Sequence, residues 1–185
     1  YDCGCVTQPG ATQLDTLKVC ENMLAKAVYD NGFVSDGNDT LVFVLHEGSA
    51  DSLINPHLYK KTPEFTYNPV LSYGKVYYIS AVAANKGIFH GLDQQDSCYT
   101  VAPGTPVIFN ALPQVTYSTN SPVCQGDSAI INLRFTKGIK PFKLFYSFQA
   151  VPGSKTFNDT IGQLAFQVFS DANFTLTNLT SQGCS

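Results

Sequence analysis

The residues of this chain best suited to chemistry are its six cysteines. A cysteine sulfur forms a disulfide, binds a metal or acts as a nucleophile, and residue spacing separates these uses. Cys3 and Cys5 are too close together for the usual two-cysteine half of a zinc site, and the three histidines are scattered. We therefore expect disulfides, no zinc site, and an oxidising extracellular or cell-surface location.

The number of cysteines does not determine how they pair. We expect one bridge in each half of the chain, Cys20 with Cys98 and Cys124 with Cys184. The second bridge would close a long loop and contribute about 4 kcal/mol by restricting the unfolded chain. The two cysteines near the N-terminus then pair with each other, at a spacing that strains the bridge, or with partners outside this segment.

Patterns that indicate catalysis are weak. The chain has no G-x-S-x-G elbow, no P-loop, no G-x-G-x-x-G motif and no H-E-x-x-H motif. His46 could serve as a general base, but a histidine in a turn is the favoured interpretation. Glu21, Glu47 and Glu64 are the only glutamates, and their positions give no support to a paired-carboxylate glycosidase. We expect no enzymatic activity.

One turn rich in Asp and Asn offers oxygen atoms that could bind a cation. Asp36, Asn38 and Asp39 lie around a glycine, and many extracellular repeats bind calcium through such oxygens. The spacing does not match the EF-hand loop, so an ordinary turn with side-chain hydrogen bonds is the favoured interpretation. Residues 93–96 form a weaker candidate of the same kind. We expect no cofactor, with calcium at the first turn as the alternative.

Several tyrosines could form an aromatic surface that binds sugar rings. Trp, which often serves in such surfaces, is absent from the chain. Packing in the core and across neighbouring strands is the favoured interpretation of the same residues. They are Tyr59, Tyr67, Tyr73, Tyr77 and Tyr78.

Composition excludes some classes of protein. Charged residues make up 14% of the chain, against about 25% in ordinary globular proteins. The net charge is −3 and Arg134 is the only arginine, so we expect no nucleic-acid partner. No apolar run reaches the ~18 residues of a membrane-spanning helix, so we expect no membrane insertion. The chain begins with Tyr1, as expected for a mature or excised segment.

Short apolar or alternating runs between turn residues predict an all-β protein. The runs at residues 41–45 and 76–82 are rich in β-branched and aromatic residues. Residues 129–135 and 142–148 alternate apolar and polar positions, as do strands that cover one side of a core. Two sheets that bury such faces against each other form a β-sandwich. Residues 14–28 also fit a helical stripe, so their pattern leaves helix and strand open.

The chain divides into two predicted modules, residues 1–112 and 113–185. The flanks of Cys20 and Cys124 look alike, which hints at two related modules in tandem. The second module is shorter than the ~100 residues of an immunoglobulin-type sandwich, so we expect it to lack its last strand. Either further residues supply that strand, or a neighbouring subunit donates it.

Three segments of the first half resemble repeats of large secreted surface proteins of the Bacteroidota. They are LVFVLHEGS (residues 41–49), YYISAVA (residues 77–83) and CYTVAPGTPV (residues 98–107). The second half is similar, in more generic motifs, to the immunoglobulin-like repeat that follows in those proteins. The resemblance implies sandwich modules of cell-surface adhesins linked to gliding or type IX secretion. It also implies a strand at residues 19–20, while residues 85–89 depart from the family pattern.

The resemblance also implies a modification. Exported proteins of the Bacteroidota carry an O-glycosylation motif in which Asp precedes Ser or Thr and an aliphatic residue, and this pattern recurs along the chain. The alternative is that Asp-Ser and Asp-Thr simply begin strands after turns. The candidate acceptors are Thr16, Thr40, Ser52, Ser128 and Thr160.

Together these observations lead to a functional hypothesis. We expect a structural and adhesive repeat unit of a large extracellular protein or surface filament, assembled by strand exchange between subunits. Its partners would be neighbouring copies, adjacent repeats and surface glycans. The alternative is a carbohydrate-binding or accessory module of a secreted enzyme.

Overall fold

A computed structural model describes residues 5–185 of the chain. Every regular element in this range is a β-strand, so the predicted all-β class is confirmed. The chain divides into two compact units, Tyr1–Phe109 and Asn110–Ser185, which we call the first and second units. The division falls slightly before residue 112, where the sequence predicts it.

Most strands of the first unit are short, and those of the second are longer. In the first unit they are β1 (Gln8–Pro9), β2 (Leu17–Cys20), β3 (Leu24–Lys26), β4 (Phe33–Val34), β5 (Asp39–Glu47), β6 (Ile54–Lys60), β7 (Glu64–Thr66), β8 (Val76–Phe89), β9 (Thr100–Val101) and β10 (Thr105–Asn110). In the second unit they are β11 (Gln114–Thr119), β12 (Ser128–Lys137), β13 (Phe142–Phe148), β14 (Val151–Phe157), β15 (Ile161–Gln167) and β16 (Phe174–Ser181).

A six-stranded sheet forms the centre of the first unit, in the order β2-β10-β8-β5-β6 with β9 paired to β8. β5 and β8 are antiparallel neighbours from Asp39 opposite Asn85 to His46 opposite Tyr78. Their β-branched and aromatic side chains pack well on a pleated surface. Because both faces of these strands are buried, their sequences are nearly continuous apolar runs.

Each face of this sheet has its own core. On one face Phe43 shares a cluster with Phe65, which comes from the small sheet of β3 and β7. On the opposite face Val42 and Val44 share a cluster with Leu92, from the loop that follows β8. The first unit is thus built around a sheet that is covered on both sides.

The segment with the ambiguous pattern forms β2 and β3, so a helix at residues 14–28 is excluded. Leu14, Leu24 and Val28 are exposed and do not form the buried stripe of an amphipathic helix. Instead, β2 pairs with β10 and β3 pairs with β7. The strand that the resemblance implies at residues 19–20 is present.

Two three-stranded antiparallel sheets form the second unit, in the orders β11-β12-β15 and β14-β13-β16. Ile131, Leu133 and Phe135 of β12 are buried, while Asn132 and Arg134 between them are exposed. The alternation predicted for this strand is therefore confirmed. Both sheets contribute to one core, an arrangement that fits a β-sandwich.

Aromatic rings join the two sheets of the second unit. Phe135 of β12 is stacked on Phe142 of β13, with ring centroids 4.5 Å apart. Phe148 of β13 is stacked on Phe166 of β15 at 4.3 Å. Offset aromatic pairs of this kind contribute about 0.5–1.5 kcal/mol beyond the burial of their surface.

The disulfides differ from the predicted pairs. Cys5 is bonded to Cys98, with their Cα atoms 5.3 Å apart. The predicted bridge between Cys20 and Cys98 is therefore wrong, and so is the predicted pairing of Cys5 with Cys3 or with a partner outside this segment. Cys124 is an exposed free cysteine, so the predicted bridge between Cys124 and Cys184 is wrong as well. Cys20 and Cys184 are both disulfide-bonded.

The fold explains both corrections. β1 contacts β8 and β9, which brings the N-terminal segment beside the loop that carries Cys98. Cys124 lies in an exposed turn before β12, whereas Cys184 follows β16 and is buried near the carbonyl oxygen of Asn110. Cys3 lies outside the described residues.

Candidate functional site

A buried polar cluster joins the three segments that carry the family resemblance. The Nε2 atom of His46 lies 2.8 Å from the hydroxyl oxygen of Ser80. That hydroxyl is 2.9 Å from the carbonyl oxygen of Ala50, which also accepts a 2.7 Å hydrogen bond from the backbone N–H of Gly104. Residues far apart in the sequence therefore meet at one point inside the first unit.

A hydroxyl beside an imidazole is also a pairing used in nucleophilic catalysis. The Nδ1 atom of His46 lies 2.7 Å from the carbonyl oxygen of Glu47, and because a carbonyl only accepts, Nδ1 carries the proton. Burial lowers the pKa of His46, which favours the neutral ring. His46 and Ser80 are fully buried, His46 within β5 and not in a turn. The geometry favours a role in holding chain segments together.

Gly104 has no space for a side chain. A Cβ atom at this position would lie 2.3 Å from the Ser80 hydroxyl oxygen. Thr12 adds a further link, since its hydroxyl lies 3.2 Å from the carbonyl oxygen of Pro103 and accepts from the N–H of Thr105 at 3.1 Å. Sequence patterns did not single out these residues individually. Ser80 and Gly104 lie in the conspicuous YYISAVA and CYTVAPGTPV segments, which is the signal that could have found them, whereas Thr12 lies in neither segment.

Glu47 lies at the rim of this sheet in a network of charges. Its Oε1 atom is 2.7 Å from Lys75 Nζ and 3.0 Å from His57 Nε2. Asn55 Nδ2 donates to its other oxygen at 3.3 Å. These donors, Lys75 foremost, lower the pKa of Glu47 to about 2. Glu47 is therefore a stable anion with its own partners.

The other two glutamates have separate partners. Glu64 pairs with Lys26 at 2.7 Å between neighbouring strands β7 and β3. Glu21 accepts a hydrogen bond from the hydroxyl of Tyr73. Burial and the Glu21 carboxylate raise the pKa of Tyr73. Each glutamate is thus engaged with partners of its own.

The tyrosines singled out in the sequence do not share one exposed face. Tyr77 is buried in the core. Tyr67 packs against the core on the same face and stacks on Tyr73 at 4.3 Å. Tyr59 packs against the core on the opposite face and stacks on His90 at 4.0 Å. Core and cross-strand packing therefore accounts for most of this set, and Tyr59 is the member that borders a cleft.

The candidate calcium turn is held by its own hydrogen bonds. Asp36 Oδ1 is 3.4 Å from the N–H of Asn38, and Asp39 Oδ2 accepts from the N–H of Asp36 at 3.0 Å and from the Thr7 hydroxyl at 2.6 Å. Asp39 is buried, and its Oδ1 atom has no hydrogen-bond partner. No cluster of metal-binding side chains occurs among residues 5–185. These contacts are those of an Asx-rich turn, and calcium binding here stays a prediction.

A tight hairpin follows β8 at the segment that departs from the family pattern. His90 and Gly91 both have positive φ, at 51° and 89°, as in the two-residue turns of β-hairpins. Leu92 then pairs back with β8. A Cβ atom on Gly87 would lie 2.5 Å from the backbone nitrogen of Asp93, so only glycine fits there.

This hairpin presents apolar side chains to solvent. Ile88 is fully exposed and Phe89 is half-exposed. The ring of His90 is stacked on Tyr59 at 4.0 Å and meets Phe89 edge to face at 4.7 Å. Ring contacts therefore support the tip of the hairpin.

β16 is an edge strand of the second unit, paired with β13 on one side. After it the chain reverses through Gln182 and Gly183, whose φ angles are 50° and 82°. Ser181 and Cys184 exchange backbone hydrogen bonds of 2.9 and 2.8 Å across this turn. The bridge between Ser181 and Cys184 is antiparallel, as in a tight reversal of the chain at the end of β16.

A groove of about 680 Å³ opens at the end of the second unit where β11 and β16 lie. Tyr117 of β11 and Phe174 of β16 both line it and contact each other edge to face, with ring centroids 5.9 Å apart. Phe148 and Phe169 also line the groove, and Phe169 is exposed. The aromatic core of the second unit is therefore accessible from this side.

The candidate O-glycosylation acceptors differ in accessibility. Thr16, Ser52, Ser128 and Thr160 are exposed. Thr40 is half-buried, and its hydroxyl accepts a 2.8 Å hydrogen bond from Lys61. Glycosylation at these sites stays a prediction.

Comparison with known proteins adds no assignment. Within residues 5–185 there is no helix long and apolar enough to cross a membrane. No protein-family model and no curated protein matches the chain.

Proposed function

We propose that the chain is a structural and adhesive unit of a large extracellular surface protein or filament. The family resemblance of the first unit, with sandwich repeats in Bacteroidota adhesins linked to type IX secretion, supports this assignment. The disulfides and the sparse charge of the chain agree with an extracellular setting. The two units are then two immunoglobulin-like modules in tandem.

The observation that carries the proposal is the open edge of β16 beside an accessible aromatic groove. An edge strand presents unpaired N–H and C=O groups, which pair readily with another extended chain. A strand donated by a neighbouring subunit would pair with these groups and place alternate side chains against the groove. Subunits joined in this way form a filament.

Light scattering together with electron microscopy of the full chain tests the proposal. We expect oligomers whose mass increases with concentration. Thr177→Lys places a charge on an exposed position of β16 and should abolish them, because lysine blocks pairing at a sheet edge. Thr156→Lys, on the other edge strand of the same sheet, is the matched control and should leave assembly unchanged.

Two results contradict strand exchange. One is a monomer at every concentration. The other is equal loss of assembly in Thr177→Lys and Thr156→Lys, because the edge of β16 would then have no special part in the contact.

A further inference from the structure

The geometry points to a binding site for a neutral carbohydrate in the first unit, in a cleft bordered by Tyr59 and Tyr99. The cleft has a volume of about 490 Å³, and Asp51, Ser52 and Gln94 add polar groups to its lining. This inference rests on the adhesive part of the proposed function, because it names the class of molecule that the unit binds. It does not depend on assembly through β16.

The loop before β9 forms one wall of the cleft, and several contacts fix its position. The disulfide between Cys5 and Cys98 ties this loop to the N-terminal segment. The Asp96 carboxylate accepts from the backbone N–H of Asn85 at 2.7 Å and of Cys98 at 3.0 Å. The N–H of Tyr99 then donates to the Asp96 carbonyl at 3.1 Å. A wall fixed in this way loses little conformational freedom when a ligand binds.

The opposite wall comes from the turn before β6 and from β6 itself. The hydroxyl of Ser49 donates to Asp51 Oδ1 at 2.9 Å and fixes that carboxylate. The ring of Tyr59 is nearly parallel to that of His90, with 9° between the planes. The stacking holds the tyrosine ring in one orientation beside the cleft.

The groups that line the cleft match the chemistry of a sugar. A carboxylate, an amide and a hydroxyl can bind neighbouring hydroxyl groups, and aromatic rings pack against the apolar C–H face of a pyranose. Burial raises the pKa of Tyr59 and of Tyr99, so both phenols remain protonated and able to donate. Asp51 is the only charged residue among the described residues of the lining, which disfavours anionic ligands.

A glycan array, displaying neutral and acidic saccharides at high density, tests the site with the full chain. The protein is made without glycosylation, because Ser52 is itself a candidate acceptor and lies in the lining. We expect binding to neutral glycans and not to sialylated, sulfated or uronic-acid glycans. Titration calorimetry with the best neutral saccharide then gives its affinity.

Two exposed residues allow the cleft to be altered without affecting the core. Asp51→Asn replaces a charged acceptor by a neutral amide, and Gln94→Ala removes an amide, so each should weaken binding about tenfold. Gln95→Ala is the matched control, because Gln95 is the exposed neighbour of Gln94 and is outside the lining; its affinity should equal that of the native chain.

Three outcomes would overturn the inference. They are binding of no neutral glycan, a preference for acidic glycans, and unchanged affinity in the Asp51→Asn and Gln94→Ala variants. Light scattering on the same samples separates this inference from strand exchange. Oligomers that bind no sugar would reject the carbohydrate site but not strand exchange. A chain that binds sugar but stays monomeric at every concentration would reject strand exchange but not the carbohydrate site.

Discussion

The two units bury their residues in different ways. The first unit surrounds one sheet with two cores and joins distant segments through hydrogen bonds of Thr12, His46 and Ser80. The second unit packs two small sheets on one aromatic core, with Phe135 and Phe142 between them. Hydrogen bonds require particular atoms at particular positions, whereas apolar packing tolerates more exchange. The first unit should therefore be the less tolerant of substitutions that preserve volume.

The largest expected effect is the loss of a core ring in the second unit. Phe142→Ala should lower the free energy of unfolding by about 3–5 kcal/mol, because it removes a buried ring stacked between two sheets. Hydrogen exchange read by mass spectrometry should show lost protection in the second unit alone. Ile161→Ala, at an exposed position, is the control and should change stability by less than about 0.5 kcal/mol. Equal loss of protection in the first unit would contradict a division into independent cores.

Loss of the disulfide between Cys5 and Cys98 should lower the stability of the first unit alone. Replacing Cys5 and Cys98 together by serine should lower its stability by about 2–4 kcal/mol, because the bridge closes a long loop and restricts the unfolded chain. Denaturation followed by hydrogen exchange measures the effect unit by unit. Cys124→Ser, at the free exposed cysteine, is the matched control and should have almost no effect. A double variant as stable as the native chain would contradict a structural role for the bridge.

A double-mutant cycle tests the buried polar cluster. Gly104→Ala should destabilise the chain by about 1–3 kcal/mol, since its new methyl group would collide with the Ser80 hydroxyl. In a Ser80→Ala background that hydroxyl is absent, so the added cost of Gly104→Ala should be smaller. Urea unfolding of the native chain and three variants gives the coupling energy. Strict additivity would show that the contact carries no energy.

A moderate pH dependence should distinguish the units, because all three histidines lie in the first. The pKa of buried His46 is lowered in the folded state, so the unfolded chain binds a proton that the folded chain does not. Stability of the first unit should therefore fall as the pH decreases below the unfolded value of about 6.5, by at most about 1.4 kcal/mol per pH unit. Hydrogen exchange at several pH values measures this, with His46→Gln as the variant that should flatten the slope. If the stability of the second unit fell equally with decreasing pH, the assignment of this pH dependence to His46 would be contradicted.

The smallest expected effect is at the tip of the hairpin. Ile88→Ser should change the free energy of unfolding by less than about 0.5 kcal/mol, since the side chain is fully exposed. Gly87→Ala, one residue earlier, should be clearly destabilising because its Cβ would meet backbone atoms. Thermal unfolding of the two variants gives the comparison. A large loss in Ile88→Ser would mean that this residue is packed in solution.

Local patterns predicted the elements better than their connections. The alternation around Leu133 and the apolar run around Phe43 identified strands correctly, because burial of one or both faces leaves a direct trace in the sequence. The pairing of Cys5 with Cys98 could not be predicted, because it depends on where the N-terminal segment crosses the sheet. The cleft could not be predicted either, because Asp51 and Tyr99 are far apart in the sequence and line one cleft only in the folded chain.

The hairpin around Ile88 has a practical consequence. Its shape is set by Gly87 and by the turn at Gly91, so the backbone does not depend on which side chain occupies position 88. The rings of Phe89, His90 and Tyr59 connect this tip to the wall of the cleft. A fluorophore attached at position 88 would therefore sit on a fixed backbone near the cleft without disturbing the fold that carries it.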